Sequence, residues 1–235
     1  MMAIRGVLFD KDGTLISVND TWVPIYRRML SDLFHTDADG ADALMEKAGL
    51  DRATGTFKAG SILAGGTTRQ LIDIWWPGLD EKGVAEKIRI LDHDYAPMVK
   101  ESLKPLMPLE PIFTELRAMG LKLGVATNDS HVSATNHMAH IGVVEHFEEI
   151  IAADTVPVAK PSGNMIRRFA DITGLKPAEI AMVGDNSHDI EEARNGGAGL
   201  AVAVLSGNAA REDLEHLADH TIASVADLPA LLRSL

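Results

Sequence analysis

The sequence predicts an α/β fold, a parallel sheet covered by helices on both faces, carrying an all-helical insert just after the first strand. Three observations carry this reading. Short apolar runs alternate with segments whose apolar residues recur at i, i+3 and i+4. The runs are mostly apolar instead of alternating regularly with polar residues, as befits strands buried between two helix layers. One long stretch, residues 17–98, breaks the alternation and contains almost no strand-type run.

In chain order, strands are expected at 4–9, 121–126, 149–152, 180–183 and 200–205, with a short sixth at 221–223. Helical spacing fills 111–119, 130–140, 162–173, 188–195 and 209–217. Ser130 and Ser162 stand where helix N-caps belong, and Gly120, Gly142, Gly174 and Gly196 where helices end. Inside the insert, 22–33, 41–48, 68–75 and 82–99 read as four helices. The glycine-rich loop 55–67 reads as mobile. Pro97, Pro105, Pro108 and Pro111 stiffen the return to the sheet. The expected division is therefore a discontinuous core of 1–16 and 99–235, with a helical domain of 17–98 hinged near 17–19 and 98–99.

Composition excludes several classes. The chain of 235 residues is 46% hydrophobic and 24% charged, which suits a globular protein with a sizeable core. Its 22 basic against 34 acidic residues give a net charge of -12, which repels nucleic-acid backbones. Absence of cysteine removes disulfides, thiolate metal sites and thiol nucleophiles. The longest mostly apolar stretch, 196–205, is far short of the roughly 20 residues a membrane helix needs. With no leader pattern at the N-terminus, the expectation is a cytoplasmic protein without membrane or nucleic-acid partners.

Polar residues collect where expected strands end, the place where open parallel sheets bind ligands. The first strand delivers Asp10 and Asp12, the second Thr127 and Asn128, and the fourth Asp185, with Asp189 four residues on. Lys160 lies in the loop after the third. Like charges about 4 Å apart repel by roughly 4 kcal/mol at an effective dielectric near 20, so carboxylates converging on one rim need a cation. Oxygen ligands alone select a hard ion such as Mg²⁺. With Lys160 and the amides of the turn from Lys11 to Leu15, such a rim is a trap for a phosphoryl group. The nucleophile it offers is a carboxylate.

Val7-Leu8-Phe9-Asp10-Lys11-Asp12-Gly13-Thr14 resembles, position by position, the first motif (hhhDxDGT) of the haloacid dehalogenase-like hydrolases. Thr127 with Asn128 is similar to their second motif, Lys160-Pro161 to the third, and Gly184-Asp185-Asn186-Ser187-His188-Asp189 to the fourth, GDxxxD. The insert is similar to that family's C1-type cap, so the resemblance spans the chain, and it points to the phosphoglycolate phosphatase-like branch. It implies a Rossmann-like core and a Mg²⁺-dependent phosphatase acting on a small phosphorylated metabolite, of the phosphoglycolate or sugar phosphate type. By position, Asp10 would attack phosphorus and Asp12 would act as acid and base. Gly13, Thr14, Thr127, Asn128 and Lys160 would hold the phosphoryl group, with Thr127 and Lys160 serving catalysis directly. Mg²⁺ would be held by the Asp10 and Asp185 carboxylates and the Asp12 backbone carbonyl, with Asp189 orienting that set. One departure stands out: after Gly13-Thr14-Leu15 the chain reads Ile16-Ser17-Val18, where many relatives carry an Asp-Ser pair at the hinge.

Competing readings differ at identifiable points. A phosphomutase would return the phosphoryl group to its product. A response-regulator receiver, which also accepts phosphate on such a rim, is about half this length and has no insert; a phospho-accepting or idle binding protein would not need all four motifs. The Asp10 to Thr14 segment is no EF-hand loop, because glycine does not follow at the required position. Gly196-Gly197-Ala198-Gly199 precedes a strand, so it is a helix exit and not a dinucleotide loop. His131, His137, His140 and His146 are scattered around a helix and its following loop, whereas His188 lies inside the fourth motif. Trp75-Trp76 reads as insert core. Lys11 is expected to turn away from the acids on either side, as strand alternation dictates. Arg52, Lys58 and Arg69 are the insert's candidate anion contacts.

Overall fold

A computed structural model of the chain describes residues 3–235, so the first two residues of the expected 1–16 segment lie outside the described residues. The first strand, β1 (Gly6–Phe9), is followed by α1 (Val18–Phe34), α2 (Ala38–Ala48), β2 (Leu50–Asp51), β3 (Thr56–Phe57) and α3 (Ile62–Gly65). Then come α4 (Thr68–Trp75), α5 (Glu81–Arg89), a π-helical turn (Ile90–Asp94) and α6 (Ala96–Ser102). The remainder alternates: α7 (Leu109–Ala118), β4 (Lys122–Thr127), α8 (His131–His140), β5 (Phe147–Ala152), α9 (Asn164–Thr173) and β6 (Ile180–Gly184). It finishes with α10 (Ser187–Gly196), β7 (Leu200–Val204), α11 (Arg211–Leu214), β8 (His220–Ile222) and α12 (Leu228–Ser234).

Six strands form one sheet in the order β5-β4-β1-β6-β7-β8, every pairing parallel. The order reverses beside β1, so a crevice opens at the carboxyl ends of β1, β4 and β6. Alternation in the central strand fills two cores. Val7 and Phe9 pack with Val125, Val183 and Val202 against Phe113 of α7 and Met138 of α8. Leu8 points the other way, with Ala126 and Met182, against Ile166 and Phe169 of α9 and Ile190 of α10. Burying each large side chain contributes about 1.5–3 kcal/mol, and both layers hold β1 at the centre.

The segment after β1 folds around a third core that includes Trp22, Ile25, Met29, Met45, Leu71 and Trp75. Thr67 and Gln70 form a reciprocal capping box that starts α4: the hydroxyl accepts from the Gln70 amide at 3.2 Å, and the Thr67 amide donates to Gln70 Oε1 at 2.8 Å. Trp75 is buried and its indole donates to the Leu44 carbonyl at 3.0 Å, as befits a core residue.

Several local expectations need correction. The insert is not free of strands: β2 and β3 pair antiparallel, each only two residues long and thus below what a period-2 pattern can register. Loop 55–67 contains β3 and the single turn α3. The helix expected at 82–99 divides at the π-helical turn, and Pro97 falls in the first turn of a new helix, where its missing N–H is tolerated. This second helix, α6, runs on to Ser102, and its Val99 packs in the insert's core. Of 209–217 only Arg211–Leu214 is helical. The α9 cap residue is Gly163, not Ser162.

The two chain crossings lie side by side. Ser17 donates its amide to the Lys104 carbonyl at 2.8 Å, and Leu106 donates to the Leu15 carbonyl at 3.0 Å. Among the described residues no helix is long and apolar enough to cross a membrane.

Candidate active site

β1 ends at Phe9, but the Asp10 amide still bonds the Val183 carbonyl at 2.8 Å, which fixes the carboxylate at the crevice. The chain then turns sharply. Leu15 and Ile16 donate to the Lys11 carbonyl, and Gly13 donates to the Ile16 carbonyl at 2.7 Å. Gly13 has a φ of 86°, and a Cβ there would sit 2.3 Å from Asp185 Oδ2. Glycine is thus required twice over, for its conformation and for the approach of Asp185.

Asp10, Asp185 and Asp189 are buried, each placing one carboxylate oxygen within 4.8 Å of the others. Lys160 Nζ lies 2.5 Å from Asp10 Oδ1 and 2.7 Å from Asp189 Oδ1. The second Asp189 oxygen accepts from the Asn186 amide at 3.1 Å, so both its oxygens are engaged. Thr14 donates its hydroxyl to Asp185 Oδ1 at 3.2 Å. Lys160 thus pairs with two of the three carboxylates, and Asp185 has no ammonium partner of its own among the described residues. Burial pushes the Asp10 carboxyl up to about 7, against the pull of Lys160. Burial, then the charges of Asp10 and Asp189, pushes Asp185 well above the usual carboxylate range. Burial works against the Lys160 ammonium, but Asp10 and Asp189 outweigh it and raise its pKa. Two carboxylates held out of their ordinary range, in an all-oxygen set, fit a hard divalent cation.

The Lys160 loop is anchored from two sides. Its amide donates to Asn128 Oδ1 at 3.0 Å. Glu192 of α10, fully buried, accepts from the Gly163 and Met165 amides at 2.6 and 2.8 Å and so caps α9. A carboxylate at a helix N-terminus satisfies donors that the helix cannot. Sequence periodicity offers no sign of this role.

Asp12 is brought to the same crevice, but its carboxylate belongs to a second cluster. Lys11 is fully buried, and its Nζ bonds the Asp12 carboxylate and lies 3.3 Å from Asp129 Oδ2. Trp22 of α1 lies under that ammonium, 5.2 Å from its ring centre, and donates its indole N–H to Asp12 Oδ1 at 2.6 Å. Burial alone would raise the Asp12 carboxyl, but Lys11 and the Trp22 N–H together hold it below its ordinary value. Burial raises Asp129, with the Asp12 charge adding and Lys11 opposing. The expectation that Lys11 plays no part is therefore corrected: the strand has ended at Phe9, so alternation no longer dictates its direction. A lysine between two acids, with Asp129 directly after Asn128, was the available signal. Trp22 had none beyond being the first aromatic residue past the crossing.

The cavity above the rim has a volume of about 60 Å³, and Asp10, Asp12, Thr127, Asn128, Lys160 and Asp189 face it. Thr127 is buried, its hydroxyl accepting the Asp129 amide at 3.1 Å. Asn128 donates to the Gly65 carbonyl at 2.8 Å, tying the core to the insert. Gly13 and Thr14, expected beside the phosphoryl group, do not line this cavity; they face Asp185. Of the histidines, His188 lines the cavity. His137 is buried against Trp22 and near Asp129, its pKa lowered to about 3 by burial and then by Lys11. His131 bonds the Ile150 carbonyl and His146 bonds Glu110, so the four do not gather. The insert's expected anion contacts also lie elsewhere. Arg52 pairs with Asp39 and Glu46, Arg69 with Glu81 and Asp73, and Lys58 is exposed outside the cavity.

Comparison with known proteins gives this arrangement its class. The sequence profile of the haloacid dehalogenase-like hydrolases matches residues 4–197, and the chain belongs to that family. It is 30% identical over 244 residues to a phosphoglycolate phosphatase of Chromobacterium violaceum, covering 98% of this chain and 97% of the relative. It is 29% identical over 233 residues to the pyrophosphatase PpaX of Halalkalibacterium halodurans, covering 97% and 96%. A crystal structure described as a predicted phosphoglycolate phosphatase, from Haemophilus somnus, shares the fold with a TM-score of 0.73 at 18% identity, covering 98% and 99% of the two chains. The protein is a hydrolase of the phosphatase kind, with the α/β core and surrounding helices of its family.

Proposed function

We propose that the protein is a Mg²⁺-dependent phosphatase of small phosphate monoesters that works through an aspartyl phosphate on Asp10. One observation carries the reading: Asp10 faces the cavity in the grip of Lys160, while Asp12, two residues on, is held apart by Lys11 and Trp22. The two carboxylates of one turn thus sit among different partners, Asp10 beside Lys160 and Asp12 between Lys11 and Trp22, and can serve different steps. An Asp10 oxygen bonds to phosphorus as the ester P–O bond breaks, and the leaving oxygen takes a proton from Asp12. Water then attacks the acyl phosphate, giving its proton to Asp12 and releasing phosphate with Asp10 restored. Lys160 and the Thr127 hydroxyl face the phosphoryl oxygens, while Asn128 holds the Lys160 loop and the insert in place. Trp22 and Asn128 bond across the crevice, which supports reading the insert as a lid that excludes water.

Asp10 and Asp185, with the Asp12 backbone carbonyl, would hold Mg²⁺, and Asp189 would orient them through Lys160. The ion would supply charge to stabilise the phosphoryl oxygens. Excess chelator should abolish hydrolysis of p-nitrophenyl phosphate, Mg²⁺ should restore it, and Ca²⁺ should inhibit. Full activity in chelator would contradict the metal assignment.

Gly207 allows a narrower check, because a Cβ there would lie 1.8 Å from Asp185 Oδ2. Gly207→Ala must displace that carboxylate. The Mg²⁺ concentration for half-maximal activity should rise by about 10–100-fold, the range seen when a ligand's supporting shell is disturbed. An unchanged Mg²⁺ requirement would remove Asp185 from the ligand set.

A screen of phosphate monoesters with Mg²⁺ tests the function as a whole. Release of inorganic phosphate marks a phosphatase; an isomerised ester without phosphate release would identify a phosphomutase instead.

A further inference from the structure

Resting on the phosphatase reading above, we infer that the substrate's leaving group is uncharged, so that esters carrying a second anion are poor substrates. The wall opposite the acidic rim is built by the insert, and it is apolar: Val18, Trp22, Tyr26, Ile62, Leu63 and Leu71 line it. The remaining insert residues that line it, Ala64, Gly65, Gly66 and Thr68, carry no charge. Among the described residues no lysine or arginine of the insert reaches the cavity. Arg52 and Arg69 are each engaged by two carboxylates outside it.

The core side makes a second anion less welcome still. Asp10, Asp12, Asp129 and Asp189 all line the cavity; among the described residues Lys160 is the one lysine or arginine that does so, with His188 beside it. Lys160 is committed to Asp10 and Asp189, and Lys11 lies behind Asp12 and Asp129. A carboxylate or second phosphate on the leaving group would therefore sit between Trp22, Leu63 and the Asp12–Asp129 pair with no free lysine or arginine to neutralise it. Buried charges without partners are strongly disfavoured.

The discriminating pair is phosphoglycolate and 2-hydroxyethyl phosphate, which differ by a carboxylate against a hydroxymethyl group. One like-charge encounter at about 6 Å and an effective dielectric near 20 corresponds to a factor of about 100. We expect kcat/KM for 2-hydroxyethyl phosphate to exceed that for phosphoglycolate by about that factor, with pyrophosphate as poor as phosphoglycolate. Ile62→Lys, which puts a cation on the apolar wall, should narrow the ratio at least tenfold. Equal or better turnover of phosphoglycolate or pyrophosphate by the unaltered protein, with p-nitrophenyl phosphate also hydrolysed, overturns the inference and leaves the phosphatase reading standing. Silence toward every ester, p-nitrophenyl phosphate included, overturns both.

Discussion

Asp10→Asn turns over no phosphate ester, yet keeps its fold and its melting temperature. Both halves of this expectation follow from the position of the side chain. The amide cannot attack phosphorus, so the reaction loses its first step and not merely a rate factor. Burial raises the Asp10 carboxyl to about 7, which means that the fold disfavours its ionised form. Replacing it with a neutral group of the same shape removes that burden, while Lys160 keeps Asp189 as a partner at 2.7 Å. Asp12→Ala behaves differently. The nucleophile remains, but proton transfer is lost, and turnover of natural esters falls by about 10²–10⁴-fold. An activated ester such as p-nitrophenyl phosphate needs no proton for its leaving group, so its first step survives and only release of phosphate stalls. Circular dichroism together with phosphate release separates these outcomes. Residual turnover by Asp10→Asn above that of a mock preparation would remove Asp10 from its role.

Lys11→Met produces the largest stability effect. The side chain is fully buried, and its ammonium is the shared partner of Asp12 and Asp129. Methionine matches its volume but strands two buried carboxylates, and removing one partner of a buried pair destabilises by about 3–5 kcal/mol. For a chain of this size that lowers Tm by about 6–20 °C. The pH dependence has a definite sign. Asp12 is held below its ordinary value, so its stabilising share is present at neutral pH and lost as pH falls through the depressed pKa. The deficit of Lys11→Met should accordingly be greatest near neutrality and shrink toward pH 4, where the stranded carboxylates take up protons. Adding Asp129→Asn should recover part of the loss. A Tm within about 2 °C of the unaltered protein at neutral pH would show that Lys11 is not the keystone of this cluster.

The central strands of the core were legible because each is a short, mostly apolar run that ends abruptly in polar residues, as at Phe9 and Gly184. Their carboxyl ends were legible as a site because Asp10, Thr127, Lys160 and Asp185 are the residue types that a buried apolar layer otherwise excludes. What escaped reading depends on contacts between distant segments. Lys11 is buried because Asp129, over a hundred residues later, comes to meet it. Trp22 looks like any core aromatic until the insert folds back over Asp12. Glu192 looks like a solvated helix residue, yet it caps the helix after Lys160. The insert hairpin failed for a simpler reason: two-residue strands carry no period. Arg52 and Arg69 had the right charge for an anion site, but acids of the insert's own helices claim them first, Asp39 and Glu46 of α2 and Asp73 of α4 with Glu81 of α5.

Labelling tests the central claim most directly. Asp12→Ala protein, incubated with Mg²⁺ and p-nitrophenyl phosphate, is quenched in acid, digested and mapped by mass spectrometry. The account predicts one phosphoryl group per chain, on the peptide containing Asp10 and at that residue, and none when Asp10→Asn is added to Asp12→Ala. A phosphoryl group on any other residue, or efficient phosphate release with no phosphoprotein at any time point, would contradict it.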